Sequence, residues 1–237
     1  MKSLQKSAES FDLALSSKQL EQFEIYQRTL AERNRVMNLT AITEADEVAV
    51  RHFLDSLSLL QAADFKGKRL IDIGTGAGFP GLPLKIAEPT LEVTLLDSLG
   101  KRVAFLEEVC GLLGLTDVKC VHGRAEEWVK TSGERAGYDY AASRAVARLD
   151  VLSELALPYV RVGGAFLAMK TSHAEEEIRD AQRGIGLLGG EIETYHDYSL
   201  PDTDAAHRIV VIRKVAPTPE RYPRRFARIQ KQPLGET

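Results

Sequence analysis

Residues 72–81 are DIGTGAGFPG, and this glycine-rich stretch decides the fold. A short apolar segment from Arg69 to Gly74 leads into it, and a helical pattern over residues 82–87 follows it. Glycines between a strand and a helix permit positive φ and let a ligand approach the backbone closely. The stretch therefore predicts the first strand of an open α/β sheet, with a nucleoside-containing ligand at its carboxyl end.

Strand and helix patterns alternate on both sides of this turn. Strands are predicted at 69–74, 91–97, 118–123, 138–145, 165–170, 191–198 and 207–214, and helices at 82–87, 101–113, 149–160 and 174–188. Such alternation gives a mostly parallel sheet covered by helices on both faces, as in Rossmann-like α/β folds. Because no helix pattern separates the last two strands, we expect them to form an antiparallel pair at the sheet edge.

The residues before the first strand have a different pattern. Residues 1–15 are weakly patterned, whereas residues 17–33 repeat apolar side chains at helical spacing. A second helix is predicted from Thr43, with Asp46 as its capping-box acid. We expect one structural domain in three parts: an N-terminal helical extension (1–66), a core (67–216) and a basic C-terminal tail (217–237).

Composition narrows the class of protein. The 237 residues are 44% apolar and 27% charged with a formal charge of −3, an ordinary balance for one α/β domain. No apolar run is long enough to span a membrane, and the N-terminus lacks a secretory signal. Cys110 and Cys120 have no metal-ligand spacing, so we expect reduced thiols, no metal site and a cytoplasmic location.

The glycine turn matches two cofactor patterns. The dinucleotide pattern GxGxxG fits residues 76–81, but it begins two residues after the strand and places Pro80 inside the turn. An acid followed by GxGxG fits residues 72–78 at the strand end and favours S-adenosyl-L-methionine over NAD. The donor-binding residues predicted from this pattern are Asp72, Gly74, Gly76 and Gly78.

Two later loops complete the predicted nucleoside pocket. Asp97 ends the second strand, where a carboxylate can accept both ribose hydroxyls, and Ser98 and Leu99 follow it. After the third strand, Ala125 and Glu126 are placed to contact the adenine edge. An acidic helix start is the alternative for that loop.

The ordered set of motifs resembles one family, the 16S ribosomal RNA guanine-N7 methyltransferases known as GidB or RsmG. The matching segments are NLT (38–40), HFLDS (52–56), DIGTGAGFPG (72–81), KRVAFL (101–106), SRAVA (143–147), Lys170, YPRR (222–225) and PL (233–234). The resemblance covers about residues 30 to 235. The tail departs from the family pattern at Ala227, Ile229 and Gln230.

The resemblance implies a seven-stranded class I methyltransferase fold. It also implies methyl transfer from S-adenosyl-L-methionine to N7 of a single guanine in 16S ribosomal RNA, with Phe79 and Arg144 among the donor contacts. Guanine N7 carries a lone pair, so the transfer needs alignment and no general base. The catalytic candidates are Asn38, His52, Asp55 and Arg144. His52, Asp55 and Ser56 form a polar stripe at helical spacing, which indicates either a solvated face or a substrate contact.

Basic residues indicate how RNA is bound. The RNA-binding candidates are Lys170, Arg221, Arg224, Arg225, Arg228 and Lys231. Expected partners are 16S ribosomal RNA and the 30S subunit, with the protein acting as a monomer. The alternatives are an NAD-dependent oxidoreductase, a methyltransferase with another acceptor and a ribosome-binding protein without activity.

Overall fold

The computed structural model describes residues 2–9, 11–144, 147–172, 174–201, 203 and 206–235. Its strands are β1 (Arg69–Ile73), β2 (Glu92–Asp97), β3 (Val118–His122), β4 (Tyr138–Arg144), β5 (Val160–Thr171), β6 (Gly190–Ser199) and β7 (Ala206–Lys214). They form one seven-stranded sheet in the order β3-β2-β1-β4-β5-β7-β6. β1 to β5 pair in parallel, and β7 pairs antiparallel with β5 and β6. The chain order switches between β1 and β4, where ligands bind in open α/β sheets.

Helices precede the sheet, cover it and follow it. They are α1 (Lys2–Glu9), α2 (Ser17–Met37), α3 (Ala45–Val48), a π-helical stretch (Ala49–Leu54), α4 (Asp55–Leu57), a 3-10 turn (Ser58–Gln61), α5 (Gly81–Ala87), α6 (Gly100–Leu113), α7 (Ala125–Thr131), α8 (Leu149–Ala156), a second 3-10 turn (Leu157–Tyr159), α9 (Glu175–Leu187) and α10 (Phe226–Lys231). Residues 45–61 form one continuous stretch of helix, called here the helical run.

The sheet has an apolar core on each face. Leu167 on β5 belongs to the core cluster beneath the helical run, α5 and α6, whereas its neighbours Phe166 and Ala168 belong to the cluster beneath α7, α8 and α9. All three side chains are fully buried. Successive side chains of a strand point to opposite faces, so a continuous apolar strand such as β5 serves both cores.

α2 begins and ends where its sequence dictates. The Ser16 side chain and Gln19 form a capping box, and Asn38 closes the helix in the left-handed conformation with φ of 51°. Phe23, Tyr26 and Leu30 are buried. The predicted amphipathic helix of residues 17–33 is therefore confirmed, with one further turn.

The weakly patterned N-terminus is helical and packed. Leu4 and Ala8 of α1 are fully buried, and α1 lies against the π-helical stretch. Phe11 contacts the Tyr198 ring edge-on, with ring centroids 6.2 Å apart. Two buried side chains among residues 4–9 give little periodicity, which is why the sequence alone indicates no helix.

Other element boundaries differ from the prediction. The second N-terminal helix begins at Ala45 rather than Thr43, and its N-cap residue Glu44 makes no side-chain capping bond, so Asp46 is not a capping-box acid. α7 begins at Ala125, which matches the alternative interpretation of the loop after the third strand as an acidic helix start. β5 begins at Val160, five positions before the predicted start. Ala145, the predicted end of β4, lies with Val146 outside the described residues.

The C-terminal segment was expected to be a tail and is instead packed on the core. Ile229 of α10 is fully buried in the cluster beneath α8 and α9. Arg135 donates hydrogen bonds to the carbonyls of Thr218, Pro219 and Tyr222. Lys214 is also buried, where it donates to the Leu157 carbonyl, and burial lowers its pKa to about 7. These contacts anchor the chain from residue 214 onward.

Candidate active site

A cavity of about 760 Å³ opens at the carboxyl ends of β1, β2, β4 and β5. Its volume is in the range of ligand sites, roughly 300–1,000 Å³. It is lined by Leu39, Thr40, Arg51, His52, Asp55, Gly74, Thr75, Gly76, Ala77, Phe79, Asp97, Ser98, Arg102, Arg144, Met169, Lys170, Thr171, Glu177, Tyr198 and His207. We call the part formed by residues 74–77, Phe79, Asp97 and Ser98 the donor half. The acceptor half is formed by the helical run, the ends of β4 to β7 and Glu177 of α9.

The glycine turn has two sides. Gly74, Gly76 and Gly78 all have positive φ, at 69°, 63° and 103°. A side chain at Gly76 would meet nothing closer than 4.0 Å, so its backbone faces open space in the cavity. A side chain at Gly78 would collide with Tyr26 and Leu82, and Gly78 does not line the cavity. Gly78 thus lets the turn pack against the protein, a different role from the predicted cofactor contact.

Asp72 organises the turn from behind. It is fully buried and does not line the cavity. Its Oδ2 accepts hydrogen bonds from Thr75 Oγ1 at 2.6 Å and the Gly81 amide at 2.8 Å. Its Oδ1 is buried without a partner among the described residues, and burial raises the pKa of Asp72 to about 6. The structure therefore makes Asp72 a support of the turn and leaves one acceptor unused.

Asp97 is the carboxylate of the donor half. It is 3% exposed and lines the cavity at the end of β2. Its Oδ1 accepts from the Leu99 amide at 2.9 Å, and its Oδ2 accepts from the Gly76 amide at 2.9 Å. Arg102 approaches Oδ2 at 3.4 Å. Oδ1 keeps one acceptor position, and the second position of Oδ2 is taken by the long Arg102 contact at 3.4 Å. Asp97 therefore fits a ligand that presents two neighbouring hydroxyls, one of which displaces Arg102 from Oδ2.

The neighbours of Asp97 differ in their access to the cavity. Ser98 lines it, whereas Leu99 is 43% exposed and does not. Ala125 and Glu126 are buried at the start of α7, where the Tyr159 hydroxyl donates to the Ala125 carbonyl at 2.6 Å. Neither residue lines the main cavity, so their adenine contact stays a prediction.

Phe79 joins the two halves. Its ring stacks on the His52 ring, with centroids 4.6 Å apart, and on the Tyr26 ring at 5.5 Å. The Arg144 guanidinium carbon lies 5.0 Å from the Phe79 centroid. The aromatic ring thus separates the glycine turn from the polar side chains of the acceptor half.

Arg144, Asp55 and Tyr198 form a buried chain in the acceptor half. Nη1 of Arg144 lies 2.7 Å from Asp55 Oδ2, and the Tyr198 hydroxyl donates to Asp55 Oδ1 at 2.7 Å. The side chains of Arg144 and Asp55 are 15% and 7% exposed. His207 Nδ1 lies 3.7 Å from Asp55 Oδ1. Asp55 is therefore satisfied on both oxygens, and it fixes Arg144 at the end of β4.

His52 is held in its neutral form beside this chain. Its Nδ1 lies 3.0 Å from Nη2 of Arg144, and its Nε2 lies 2.7 Å from Thr40 Oγ1. Nδ1 also lies 3.1 Å from the Arg51 carbonyl oxygen, so it accepts from Arg144 in one neutral tautomer and donates to Arg51 in the other. Burial, together with the Arg144 charge, lowers the pKa of His52 to about 4.

The polar stripe of the helical run does not face solvent. His52, Asp55 and Ser56 are at most 8% exposed, which excludes a solvated face. The run packs its apolar side chains on the core and turns His52 and Asp55 toward the cavity, whereas Ser56 donates to the His52 carbonyl of the same helix. His52 lies in the π-helical stretch. This geometry is rare in proteins as a whole, but many of its examples occur at functional sites.

Asn38 does not join the catalytic candidates. It is exposed, caps α2 with its backbone and does not line the cavity. Asn34 instead shapes this connection, because its side chain bonds the Leu39 and Thr40 amides at 2.6 and 2.9 Å. Thr40, two positions after Asn38, supplies the cavity contact.

The RNA-binding candidates fall into two groups: cations that form ion pairs within the protein and cations that are exposed to solvent. Arg224 pairs with the fully buried Glu154 at 2.6 Å, so its guanidinium is a structural anchor and not a free RNA contact. Lys170 is 10% exposed and pairs with Glu177 inside the main cavity. The four candidates that stay exposed are Arg221, Arg225, Arg228 and Lys231. Arg225 and Phe226 line a second cavity of about 640 Å³ with Arg124 and Lys130 of the α7 region.

Several cavity residues were not predicted: Thr40, Arg102, Glu177, Tyr198 and His207. Thr40 and Arg102 fall inside the family motifs 38–40 and 101–106, which could have indicated them. Tyr198 and His207 lie in the last two strands, and nothing in their local pattern signals that β7 inserts beside β5.

Among the described residues, no helix combines the length and the apolar character that a membrane span requires. These residues also contain no group of three or more His, Cys, Asp or Glu side chains placed to bind a metal ion.

Comparison with solved structures identifies the fold. A crystal structure of TrmN from Thermus thermophilus superposes with a TM-score of 0.55 at 19% identity over 70% of this chain and 53% of that chain. A geranyl diphosphate methyltransferase in complex with SAM superposes with a TM-score of 0.54 at 12% identity over 69% of this chain and 85% of that chain. The sheet and its cavity therefore define a class I methyltransferase fold.

Comparison of sequences identifies the family. Residues 19–204 match the GidB family model, described as rRNA small subunit methyltransferase G. The ribosomal RNA small subunit methyltransferase G of Alkaliphilus oremlandii is 47% identical over 98% of this chain and 97% of that protein. The chain belongs to the GidB family. The predicted fold class, family and dependence on S-adenosyl-L-methionine are confirmed.

Proposed function

We propose that the protein transfers the methyl group of S-adenosyl-L-methionine to N7 of a single guanine in the 16S ribosomal RNA of the small subunit. The observation that carries the proposal is the family match over residues 19–204. The cavity supports it, because one continuous space joins the donor half to a polar acceptor half.

The cavity has the groups that this donor needs. In the donor half, Asp97 can accept from the two ribose hydroxyls once Arg102 leaves Oδ2, and the backbone of Gly76 leaves room for close approach. Arg144 has an Nε–H and one Nη2–H unused by the described residues, which suits the donor carboxylate. When bound, the donor supplies an electrophilic methyl group on a sulfonium.

The acceptor half favours alignment over acid–base chemistry. Guanine N7 attacks with a lone pair and releases no proton, so a general base is not required. His52 is neutral at physiological pH, since its pKa is lowered to about 4. Asp55 offsets the charge of Arg144. His52 thus adds no further positive charge beside the sulfonium.

A basic surface around the second cavity supports RNA binding. Arg225 of the C-terminal segment lies there with Arg124 and Lys130, and Glu126 and Glu127 offset part of their charge. Phe226 lies 5.9 Å from the Arg124 guanidinium carbon and offers a ring for base stacking. Exposed cations on a chain of net charge −3 indicate a local contact with phosphates.

We further infer that a monomer acts on the 30S subunit in the cytoplasm. Large exposed apolar side chains of the described residues are scattered over different elements, among them Val36, Leu112, Val162 and Leu187. Scattered apolar residues do not form the contiguous patch that a stable homodimer requires. A substrate in the small ribosomal subunit places the reaction in the cytoplasm.

The test is transfer of labelled methyl from S-adenosyl-L-methionine to 30S subunits and to 16S RNA, both from a strain that lacks this protein. Modified bases are then mapped by mass spectrometry of RNA fragments. We expect label at N7 of one guanine. Label on another atom or base, or no label on either substrate despite donor binding, would overturn the proposed acceptor.

A further inference from the structure

Lys170 and Glu177 form an ion pair in the acceptor half, where β5 ends and α9 begins. Nζ of Lys170 lies 2.5 Å from Oε1 of Glu177 and 2.6 Å from the Ala147 carbonyl. The two side chains are 10% and 19% exposed, and both line the main cavity. The pair is therefore sheltered from bulk solvent and accessible to a ligand in the cavity.

Both members keep unused hydrogen-bonding capacity. Lys170 has three N–H groups, and the described residues engage two of them. Oε1 of Glu177 accepts from Lys170 and from the Leu149 amide, whereas Oε2 accepts from none of the described residues. Among the described residues, Asp72 Oδ1 is the buried side-chain atom that has no hydrogen-bond partner. Oε2 of Glu177 also has no partner there but is not buried, so a ligand in the cavity can reach it.

Glu177 differs in this respect from the other carboxylates of the cavity. Asp55, Asp97 and Glu177 are the acidic residues among the cavity lining that the structure describes. Asp55 has both oxygens occupied by side chains, and Asp97 lies in the donor half. Among the residues that the structure describes, Glu177 is thus the carboxylate of the acceptor half with an unpaired oxygen.

A free carboxylate oxygen beside an ammonium group complements one edge of guanine. That edge presents the O6 acceptor next to two donors, N1–H and the 2-amino group, and RNA bases are commonly recognised on this edge. Adenine presents a donor and then an acceptor in the same places, so it would leave both protein groups unpaired. N7 lies on the opposite side of O6 and remains free to face the donor half.

We propose that Lys170 and Glu177 select the target base, with Lys170 donating to O6 and Oε2 of Glu177 accepting from N1–H and the 2-amino group. This assignment rests on the proposed function. Glu177 also accepts a hydrogen bond from the Leu149 amide, the first of α8. A loss of activity alone would not distinguish this structural role from base recognition. The two roles are separated by comparing substrates that carry different bases at the target position.

The separating experiment pairs Glu177→Gln with inosine, which keeps N7, O6 and N1–H and lacks the 2-amino group. 30S subunits are reconstituted from ligated 16S RNA that carries guanosine or inosine at the mapped position, and kcat/KM is measured for each. For the wild-type protein we expect roughly tenfold slower transfer to inosine, the effect of one lost hydrogen bond to a charged group. For Glu177→Gln we expect slower transfer to guanosine and a guanosine-to-inosine ratio near one.

Glu176→Gln is the matched control, since it makes the same change at the adjacent exposed residue of α9. It should keep the wild-type ratio. Equal wild-type rates on guanosine and inosine would overturn the assignment, and so would a Glu177→Gln variant that slows both substrates by the same factor. Failure of the wild-type protein to methylate guanosine would instead overturn the proposed function.

Discussion

The donor half of the cavity is made mostly of backbone from two adjacent strand ends, whereas the acceptor half joins side chains from six separate elements. Residues 74–79 and Asp97 are linked by hydrogen bonds across β1 and β2, such as that from the Gly76 amide to Asp97. In the acceptor half, Asp55 of the helical run contacts Arg144 of β4 and Tyr198 of β6.

This difference separates two tasks. A donor common to many reactions can be held by a conserved kind of backbone turn with one carboxylate. A particular RNA base has to be recognised and aligned by side chains, which any element facing the cavity can supply. Substitutions in the two halves should therefore change different kinetic quantities.

The largest expected effect is in the donor half. Asp97→Asn removes the charge that the two ribose hydroxyls meet, which weakens two charge-assisted hydrogen bonds. We expect a loss of about 4 kcal/mol, or roughly 1000-fold, in affinity for S-adenosyl-L-methionine. Calorimetric titration measures it, with Asp46→Asn on the exposed side of α3 as the control. Donor affinity within threefold of wild type would remove Asp97 from the donor site.

The second effect is on the pH dependence of folding stability, which depends on how deeply His52 of the acceptor half is buried. Since the folded pKa of His52 is lowered from 6.5 to about 4, the unfolded chain binds more protons between these values, and stability falls as pH falls from about 6.5 to 4. Asp72, with its pKa raised to about 6, contributes in the opposite direction. The His52 contribution must therefore be measured as a difference.

His52→Gln isolates that contribution. A shift of this size corresponds to about 3 kcal/mol. The difference in unfolding free energy between wild type and His52→Gln should shift by that amount in favour of the variant between pH 7 and pH 4, as measured by urea denaturation. Parallel pH profiles for the two proteins would show that His52 titrates normally.

A smaller effect is expected from the ion pair that anchors Arg144. Asp55→Asn keeps the shape and removes the charge that holds the guanidinium. We expect kcat to fall about 30-fold, or about 2 kcal/mol, the value of one charge-assisted hydrogen bond. Quenched single-turnover assays measure the rate of methyl transfer, and thermal unfolding checks that the variant is folded. A change confined to donor affinity would place Asp55 in the donor half instead.

The smallest effect is expected on the basic surface outside both halves. Arg228→Gln should weaken binding to 30S subunits a few-fold and lower the slope of log affinity against log salt by about 0.7 to 0.9, as for one lost phosphate contact. Filter binding over a salt series measures it. Arg28→Gln on the exposed side of α2 is the control. An unchanged salt slope would exclude Arg228 from the RNA contact.

Prediction from sequence was most accurate where structure is local. The turn of residues 72–81 and the acid at 97 follow from neighbouring residues, because a glycine turn and a strand end are formed by short-range contacts. The alternating pattern likewise predicted all seven strands of the described sheet. Gly78 shows the limit of this approach, since only the packing of Tyr26 and Leu82 against it reveals its role.

Prediction was weakest where burial depends on distant parts of the chain. The stripe of His52, Asp55 and Ser56 has the spacing of a solvated face, yet all three are buried. Arg224 has the composition of an RNA-binding tail, yet Glu154, 70 positions away, holds it. Nothing in either local sequence distinguishes an exposed polar residue from one that meets a buried partner.

The sequence by itself determined the α/β architecture, the donor turn and the family, because hydrophobic periodicity and a contiguous motif are local properties. Tertiary structure alone decided the acceptor half. Asp55 and Tyr198 are 143 positions apart and meet only because β7 inserts between β5 and β6. A site assembled by such long-range pairing has no local pattern, so its residues become recognisable only once the sheet order brings them to the same cavity.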